Sequence, residues 1–294
     1  MLGKNYFMFI LLFSCLPTMM HTQKATAKKP KTLTVASYNQ LFEYSHRIPE
    51  DSSQQWVNRK KVMKKIFEDN KFDLVGAQET MTFQLAEIKT WPDLDWIGAG
   101  RSSGGYEKNE EHDAVIWRKS RLEMLEHGDF WYSDTPEVSS HSWDSPCCPR
   151  MCTWVKFKDK RTKKIFFIFN SHFDHIGVVS KKNSATLLLA KVKEIAGNNP
   201  VILTGDFNSE PQSEPIQIIL NDGAFSDSRA VSKRAPEGPN GTLHGFTNLN
   251  PTGIIDHVFV TKNIRVNTYR VIDGELKTKA WASDHLPVAV NVEF

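Results

Sequence analysis

No uncharged apolar run in this 294-residue chain reaches the roughly 20 residues of a membrane-spanning helix, which excludes a polytopic membrane protein. No fixed period repeats, which argues against a solenoid. There is no phosphate-cradling P-loop, no dinucleotide fingerprint and no Ser/His/Asp elbow. Cysteine is scarce: Cys15, then Cys147, Cys148 and Cys152 within Ser145-Pro-Cys-Cys-Pro-Arg-Met-Cys. Without Cys15 three remain, an odd number that leaves one thiol over. A structural zinc wants four ligands at regular spacing, and this cluster has no fourth. The three read as small buried residues with at most one local disulfide.

Positive charge is scarcer than the net +3 suggests. Of 37 Lys and Arg, five (Lys4, Lys24, Lys28, Lys29 and Lys31) fall in the first 31 residues, where there is no Asp or Glu. From Thr32 onward 32 basic residues face 34 acidic ones, a net of −2. That part lacks the general excess of positive charge that drives sequence-independent DNA binding.

What is present begins with a leader. Lys4 followed by the uncharged apolar stretch Tyr6 to Leu16 reads as an export signal over residues 1–27, with Ala25-Thr26-Ala27 as a cleavage site. Leu12-Phe-Ser-Cys15 offers a second reading, a lipoprotein signal with Cys15 lipidated. Residues 28–31 form a short basic linker. The expected location is therefore outside the cytoplasm: periplasmic, secreted or lipid-anchored at the cell envelope. No Pro/Gly/Ser linker divides the rest, and with 40% hydrophobic residues it can bury a sizeable core, so residues 32–294 read as one domain, expected to be monomeric.

Short segments rich in β-branched and aromatic residues predict strands at Thr32–Tyr38, Leu74–Ala77, Ala114–Trp117, Thr153–Phe157, Ile165–Asn170, Val201–Thr204, Ile255–Val260 and Pro287–Glu293. Apolar spacings of three and four predict helices over Gln54–Asp69 and Lys182–Ala196, with shorter ones over Phe83–Lys89 and Glu214–Leu220. Mixed sheets with helices outside fit this order better than a doubly wound sheet.

The informative feature is what stands at the strand ends. Thr-Val-Ala-Ser-Tyr runs into Asn39, and Val-Gly-Ala-Gln into Glu79. Phe-Ile-Phe-Asn-Ser runs into His172, with Asp174 and His175 behind, and Leu-Thr-Gly into Asp206, with Asn208 two residues on. Asp256-His257 lies inside the apolar run Ile-Ile-Asp-His-Val-Phe-Val, and Ser283-Asp284-His285 precedes another. If extended backbone continues, Asp206 and Asn208 share a side, as do His172 and Asp174. Ligands of sheet proteins bind beyond strand ends. Hard oxygen donors such as Glu79, Asp284 and Asn39 suit Mg²⁺ or Mn²⁺. Histidines with carboxylate partners suit proton transfer and charge stabilisation. Together they point to attack of water on phosphorus.

With these motifs in this order, the sequence resembles the endonuclease/exonuclease/phosphatase superfamily, the deoxyribonuclease I-like enzymes, from Thr34 to Phe294. The resemblance implies a four-layer α/β sandwich, two mixed β-sheets packed face to face with helices outside. It implies a metal-dependent hydrolase of phosphoester bonds with Mg²⁺ or Mn²⁺ as cofactor. Glu79, supported by Asn39 and Asp284, is the implied metal site. Asp206 would orient or deprotonate the attacking water and Asn208 would hold it. Asp256 would orient His285, and His285 would stabilise transition-state charge. His172 would contact phosphate or protonate the leaving oxygen. Gly98-Ala-Gly-Arg101, Gly128-Asp-Phe-Trp131, His172-Phe-Asp-His175 and Gly241-Thr-Leu-His-Gly-Phe246 look like a bacterial, often exported subgroup. Arg101 reads as a phosphate clamp or a surface arginine, and Arg150 likewise. Asp174 and His175 are further substrate-binding candidates, with His112 a second residue at the pocket mouth. Trp131, Trp143 and Phe246 read as core before they read as stacking platforms.

The expected partner is a phosphate-ester substrate. Export and modest charge favour a small sugar, inositol or lipid phosphate. The alternatives are a nuclease acting on DNA or RNA and a non-catalytic binding protein that retains the fold.

Overall fold

A computed structural model describes residues 1–3, 31–43, 54–106 and 108–294. The export signal, the lipoprotein reading of Cys15 and nearly all of the basic linker lie outside the described residues. Lys31–Phe294 forms one compact unit. Among the described residues no helix is long and apolar enough to cross a membrane.

In chain order the strands are β1 (Leu33–Asn39), β2 (Leu74–Gln78), β3 (Thr80–Met81), β4 (Leu94–Ile97), β5 (Glu111–His112), β6 (Val115–Arg118), β7 (Leu122–Trp131), β8 (Met151–Asp159), β9 (Ile165–His172), β10 (Val201–Asp206), β11 (Phe225–Asp227), β12 (Asp256–Thr261), β13 (Arg265–Val271) and β14 (Val288–Glu293). The helices are α1 (Trp56–Asn70), α2 (Thr82–Lys89), α3 (Val178–Ala196), α4 (Glu214–Asn221) and α5 (Gly274–Thr278). One sheet has the order β13-β14-β1-β2-β6-β4, the other β11-β12-β10-β9-β8-β7, and β3 pairs with β5 alone. In each large sheet one pair is parallel, β1 with β2 and β9 with β10. A helix makes each crossover, as parallel neighbours require.

Alternation along the strands builds the layers. Val35, Leu74, Ile168, Ile202 and Val258 turn inward and form the core between the sheets. Their neighbours Ala36, Val75 and Ala77 turn outward onto α1 and α2, through Met63, Ile66, Phe67, Leu85 and Ile88. On the second sheet Phe167, Phe169 and Leu203 turn outward onto α3 and α4, through Leu188, Val192, Ile216 and Ile219. Helix, sheet, sheet, helix is the four-layer sandwich expected from the sequence.

All eight expected strands and four expected helices are present, with ends moved by a few residues. Helix α3 starts at Val178 rather than Lys182, because Asp144 from a distant loop accepts hydrogen bonds from the N–H groups of Val179 (3.1 Å) and Ser180 (2.6 Å). Strand β7 went unrecognised: residues 123–127 are exposed and the alternation breaks at a bulge between Met124 and Glu126.

Towards the ends of the strands the space between the sheets turns polar. Asn170 donates to the carbonyls of Ala77 (2.9 Å) and Ala114 (3.0 Å), and accepts from Gln78 Nε2 (2.6 Å) and Thr204 Oγ1 (3.1 Å). This network joins the two sheets directly beneath the site. Gly76 makes the approach close: a Cβ there would stand 2.0 Å from Thr204 Oγ1 and 2.4 Å from Asn170 Oδ1.

Candidate active site

Strand register does most of the assembly. Asp206 ends β10, opposite His172 on one side and Asp256 on the other. Three ionisable side chains thus stand in one row across one sheet, all turned inward by the alternation that buries Ile202 and Thr204 behind Asp206. The facing sheet brings Asn39, which ends β1 and donates through Nδ2 to Asp206 Oδ2 at 3.0 Å. Glu79 follows β2 at a left-handed turn, φ 55°, which swings its carboxylate out of the strand and over the pocket. His285 is bridged to Leu243 and donates through Nδ1 to Asp256 Oδ2 at 2.9 Å. His285 Nε2 lies 3.8 Å, and His172 Nε2 3.7 Å, from Asp206 Oδ2. Glu79 Oε1 is 3.9 Å from His172 Nε2.

These groups line or back a pocket of about 620 Å³, whose wall includes Glu79, Arg101, Arg150, His172, His175, Asp206, Asn208 and His285. Asn39 and Asp256 are fully buried behind that wall, and Asp284 is half-buried outside it. A second concavity of about 680 Å³, lined by Lys233, Arg234, Arg270, Asn267 and Asn291, has no cluster of acids and histidines. The chemistry belongs to the smaller one.

Two cationic residues set the electrostatics of one side. Arg101 grips Glu111 through both terminal nitrogens (2.8 and 2.6 Å) and stands in the pocket wall rather than on an exposed surface. Arg150 is buried and bridges three acceptors: Asp174 Oδ2 (3.3 Å), His172 Nε2 (3.1 Å) and His175 Nδ1 (2.9 Å). A guanidinium only donates, so both histidines face it with an unprotonated nitrogen. Burial, then the Arg150 and Arg101 charges, hold His172 well below the ordinary histidine range. Its Nδ1 makes no hydrogen bond among the described residues and lies 3.9 Å from Asp113 Oδ1.

The opposite side runs the other way. Burial alone would lower His285, but Asp256, then Asp206 and Asp284, hold it well above its ordinary value. Burial and the Asp256 charge push Asp206 up to about 6. Burial and the Asp284 charge raise Glu79. The Glu79 end is therefore short of positive charge and rich in hard oxygen donors, a donor set that fits a divalent cation. Ligand atoms of Glu79, His172 and Asp206 lie within 4.8 Å of one another, as do those of Asp206, Asp256 and His285.

Four expectations need correction. Asp174 does not line the pocket: it is fully buried, with Oδ2 on Arg150 and Ser145 Oγ (2.6 Å) and Oδ1 on the N–H groups of Ile176 (2.9 Å) and Gly177 (2.5 Å), so it holds Arg150 in place. The shared side expected for Asp206 and Asn208 does not come from extended backbone, because Asn208 sits at φ 46° and donates to Phe173 O at 3.0 Å. His112 is not at the mouth: it is buried, against Gly98 O (2.9 Å) and Thr82 Oγ1 (2.8 Å). Cys152 is buried as expected, but Cys147 and Cys148 are not; they form a disulfide on the pocket wall. Trp131 is core, packed with Ala99 and Met151. Sequence reading missed Asp113 and Glu111. Their signal was His112-Asp113, an ionisable pair opening the apolar run Ala114–Trp117 as Asp284-His285 precedes the last strand.

The family model described as Endonuclease/Exonuclease/phosphatase family matches residues 36–285. The chain belongs to that family. It is similar to a mannosyl-6-phosphatase of Bacteroides thetaiotaomicron, with 35% identity and TM-score 0.81, covering 89% of this chain and 100% of that one. A second family protein from the same organism shares 36% identity and TM-score 0.81, covering 90% and 98%. An uncharacterized protein of Acanthamoeba polyphaga mimivirus is 26% identical over 254 residues, 81% of this chain and 92% of that protein. As a member of the endonuclease/exonuclease/phosphatase family, the chain is an enzyme that hydrolyses phosphoester bonds. Enzymes of this family are generally dependent on a divalent metal, and the oxygen-rich Glu79 end is the matching feature here.

Proposed function

We propose that this chain is an exported, Mg²⁺- or Mn²⁺-dependent phosphatase acting on a small sugar phosphate. The observation that carries this is the pocket: about 620 Å³, walled by two arginines that accompany the acid and histidine set. That volume suits one monosaccharide phosphate. The 35%-identical relative is named as a mannosyl-6-phosphatase, which supports the same substrate class. The net charge of −2 beyond residue 31 disfavours the nuclease alternative. The leader pattern supports export, and a disulfide is in keeping with an oxidising compartment.

In this reading Arg150 and Arg101 hold the phosphate oxygens. Asp206, a carboxylate above pH of about 6, accepts a proton from the attacking water, which Asn208 positions. His285, kept protonated by Asp256, donates to a phosphate oxygen as charge builds in the transition state. His172 begins as a neutral imidazole, which fits a phosphate contact better than proton donation. Glu79, Asp284 and Asn39 would hold the cation, which supplies neutralisation of charge on the phosphate and leaving oxygen. A lipid-linked phosphate is the second reading, favoured by Ile176, Val178 and Val179, exposed beside His175.

The test is a panel of hexose phosphates, inositol phosphates, phospholipid vesicles, and single- and double-stranded DNA, assayed with Mg²⁺, Mn²⁺ or EDTA. We expect the highest kcat/KM on a hexose phosphate and none in EDTA. Preference for DNA would overturn the reading, and preference for vesicles would replace it with the lipid one.

A further inference from the structure

The pocket's working groups are polar, yet Phe42, Cys147, Cys148, Leu243 and Ile255 also line it. Two of these five, Cys147 and Cys148, are neighbours in sequence joined to each other through sulfur. Their loop is anchored on both sides. Asp144 caps the start of α3 through the N–H groups of Val179 and Ser180. Ser145 Oγ bridges Asp174 Oδ2 (2.6 Å) and Cys148 O (3.3 Å). Cys147 Sγ lies within 4.8 Å of ligand atoms of both Asp174 and His175. Those two are the partners of Arg150, whose other end reaches His172. The disulfide thus stands one side chain away from a guanidinium placed to hold phosphate. The organic group esterified to that phosphate has to lie close to it.

We propose that the Cys147–Cys148 disulfide is the specificity wall of the leaving-group subsite, receiving the C–H face of a sugar ring. This rests on the sugar-phosphate reading above. A ring face is weakly apolar, whereas the hydroxyls at its rim need partners. Polarisable sulfur offers the face dispersion contact and demands no hydrogen bond of its own. His175 remains at the rim for hydroxyls. The cross-link between adjacent residues also removes backbone freedom from the loop, so the wall is in place before substrate arrives and less ordering accompanies binding. With the bond reduced, two separate thiols on a freer loop present no such wall.

The experiment compares wild type with a Cys147→Ser/Cys148→Ser double variant, using hexose 6-phosphate as substrate and inorganic phosphate as competitive inhibitor, in Mg²⁺. Phosphate needs only the anion-binding groups, so it reports damage to Arg150 separately from loss of the wall. We expect KM for the hexose phosphate to rise roughly tenfold, a typical worth of one apolar contact in a specificity pocket. The inhibition constant of phosphate should move far less. The same split should appear in wild type reduced with dithiothreitol, which delivers two electrons and two protons and closes to its own disulfide; this arm answers the question even if the double variant fails to fold. An unchanged KM, or equal loss for substrate and phosphate, overturns the wall while leaving the proposed function standing. Wild type that hydrolyses other phosphoesters but no hexose phosphate overturns both.

Discussion

The space between the two sheets has two ends of opposite character, although the same strands make both. At one end Val35, Leu74, Ile168, Ile202 and Val258 exclude water and hold the sheets together by apolar burial. Two residues further along the same strands stand Ser37, Gly76, Asn170 and Thr204, and two further again Asn39, Gln78, His172 and Asp206. Because inward positions recur every second residue, one strand can spend its first half on cohesion and its last pair on chemistry. The apolar end gains its stability from area removed from water. The ionic end keeps buried charges that oppose folding unless paired, and the Asn170 network between the ends fixes the distance across which they pair.

Substitutions should separate the two ends. Glu79→Ala, at the least compensated point of the ionic end, should lower turnover by roughly three orders of magnitude or more while the protein keeps its melting temperature, checked by steady-state kinetics and calorimetry. Unchanged activity would remove Glu79 from the cation site. His285→Ala should lower kcat by roughly two orders of magnitude or more with little effect on KM. An effect confined to KM would make His285 a binding residue. The pH profile should follow Asp206: it must be unprotonated to take a proton, so kcat/KM should rise with pH up to about 6 and fall roughly tenfold per unit below that. His285 sets the opposite limb. Its raised range keeps it protonated above the ordinary histidine value, so activity should persist through neutrality and fall only at higher pH. At the junction, Gly76→Ala would push a methyl group against Thr204 and Asn170 and should cost about 1–3 kcal/mol in denaturant unfolding. Smallest of all, Ile168→Val at the apolar end should cost about 0.5–1.5 kcal/mol and leave kcat alone. A large catalytic effect there would break the division between the ends.

Legibility in the sequence followed the same division. Apolar runs closing in Asn39, Glu79, His172 and Asp206 could be read directly, because alternation and strand-end polarity are local properties. Asp174 could not be placed, since whether a carboxylate meets substrate or an internal arginine depends on where Arg150 arrives from the loop before β8. Glu111 gave no sign of its pairing with Arg101, ten residues away across a turn. The Cys147–Cys148 bond was one of several states open to three thiols, and its place on the pocket wall depended on the tether from Ser145 to Asp174.

By itself, then, the sequence determined the layers, the strand ends that carry ionisable groups, and the family, all of which follow from the period of the chain and the order of its motifs. Only the tertiary structure decided which histidine is held neutral and which protonated. His172 lies against Arg150, and His285 against Asp256. Two chemically identical imidazoles take different protonation states because separate segments of chain deliver a cation to one and an anion to the other.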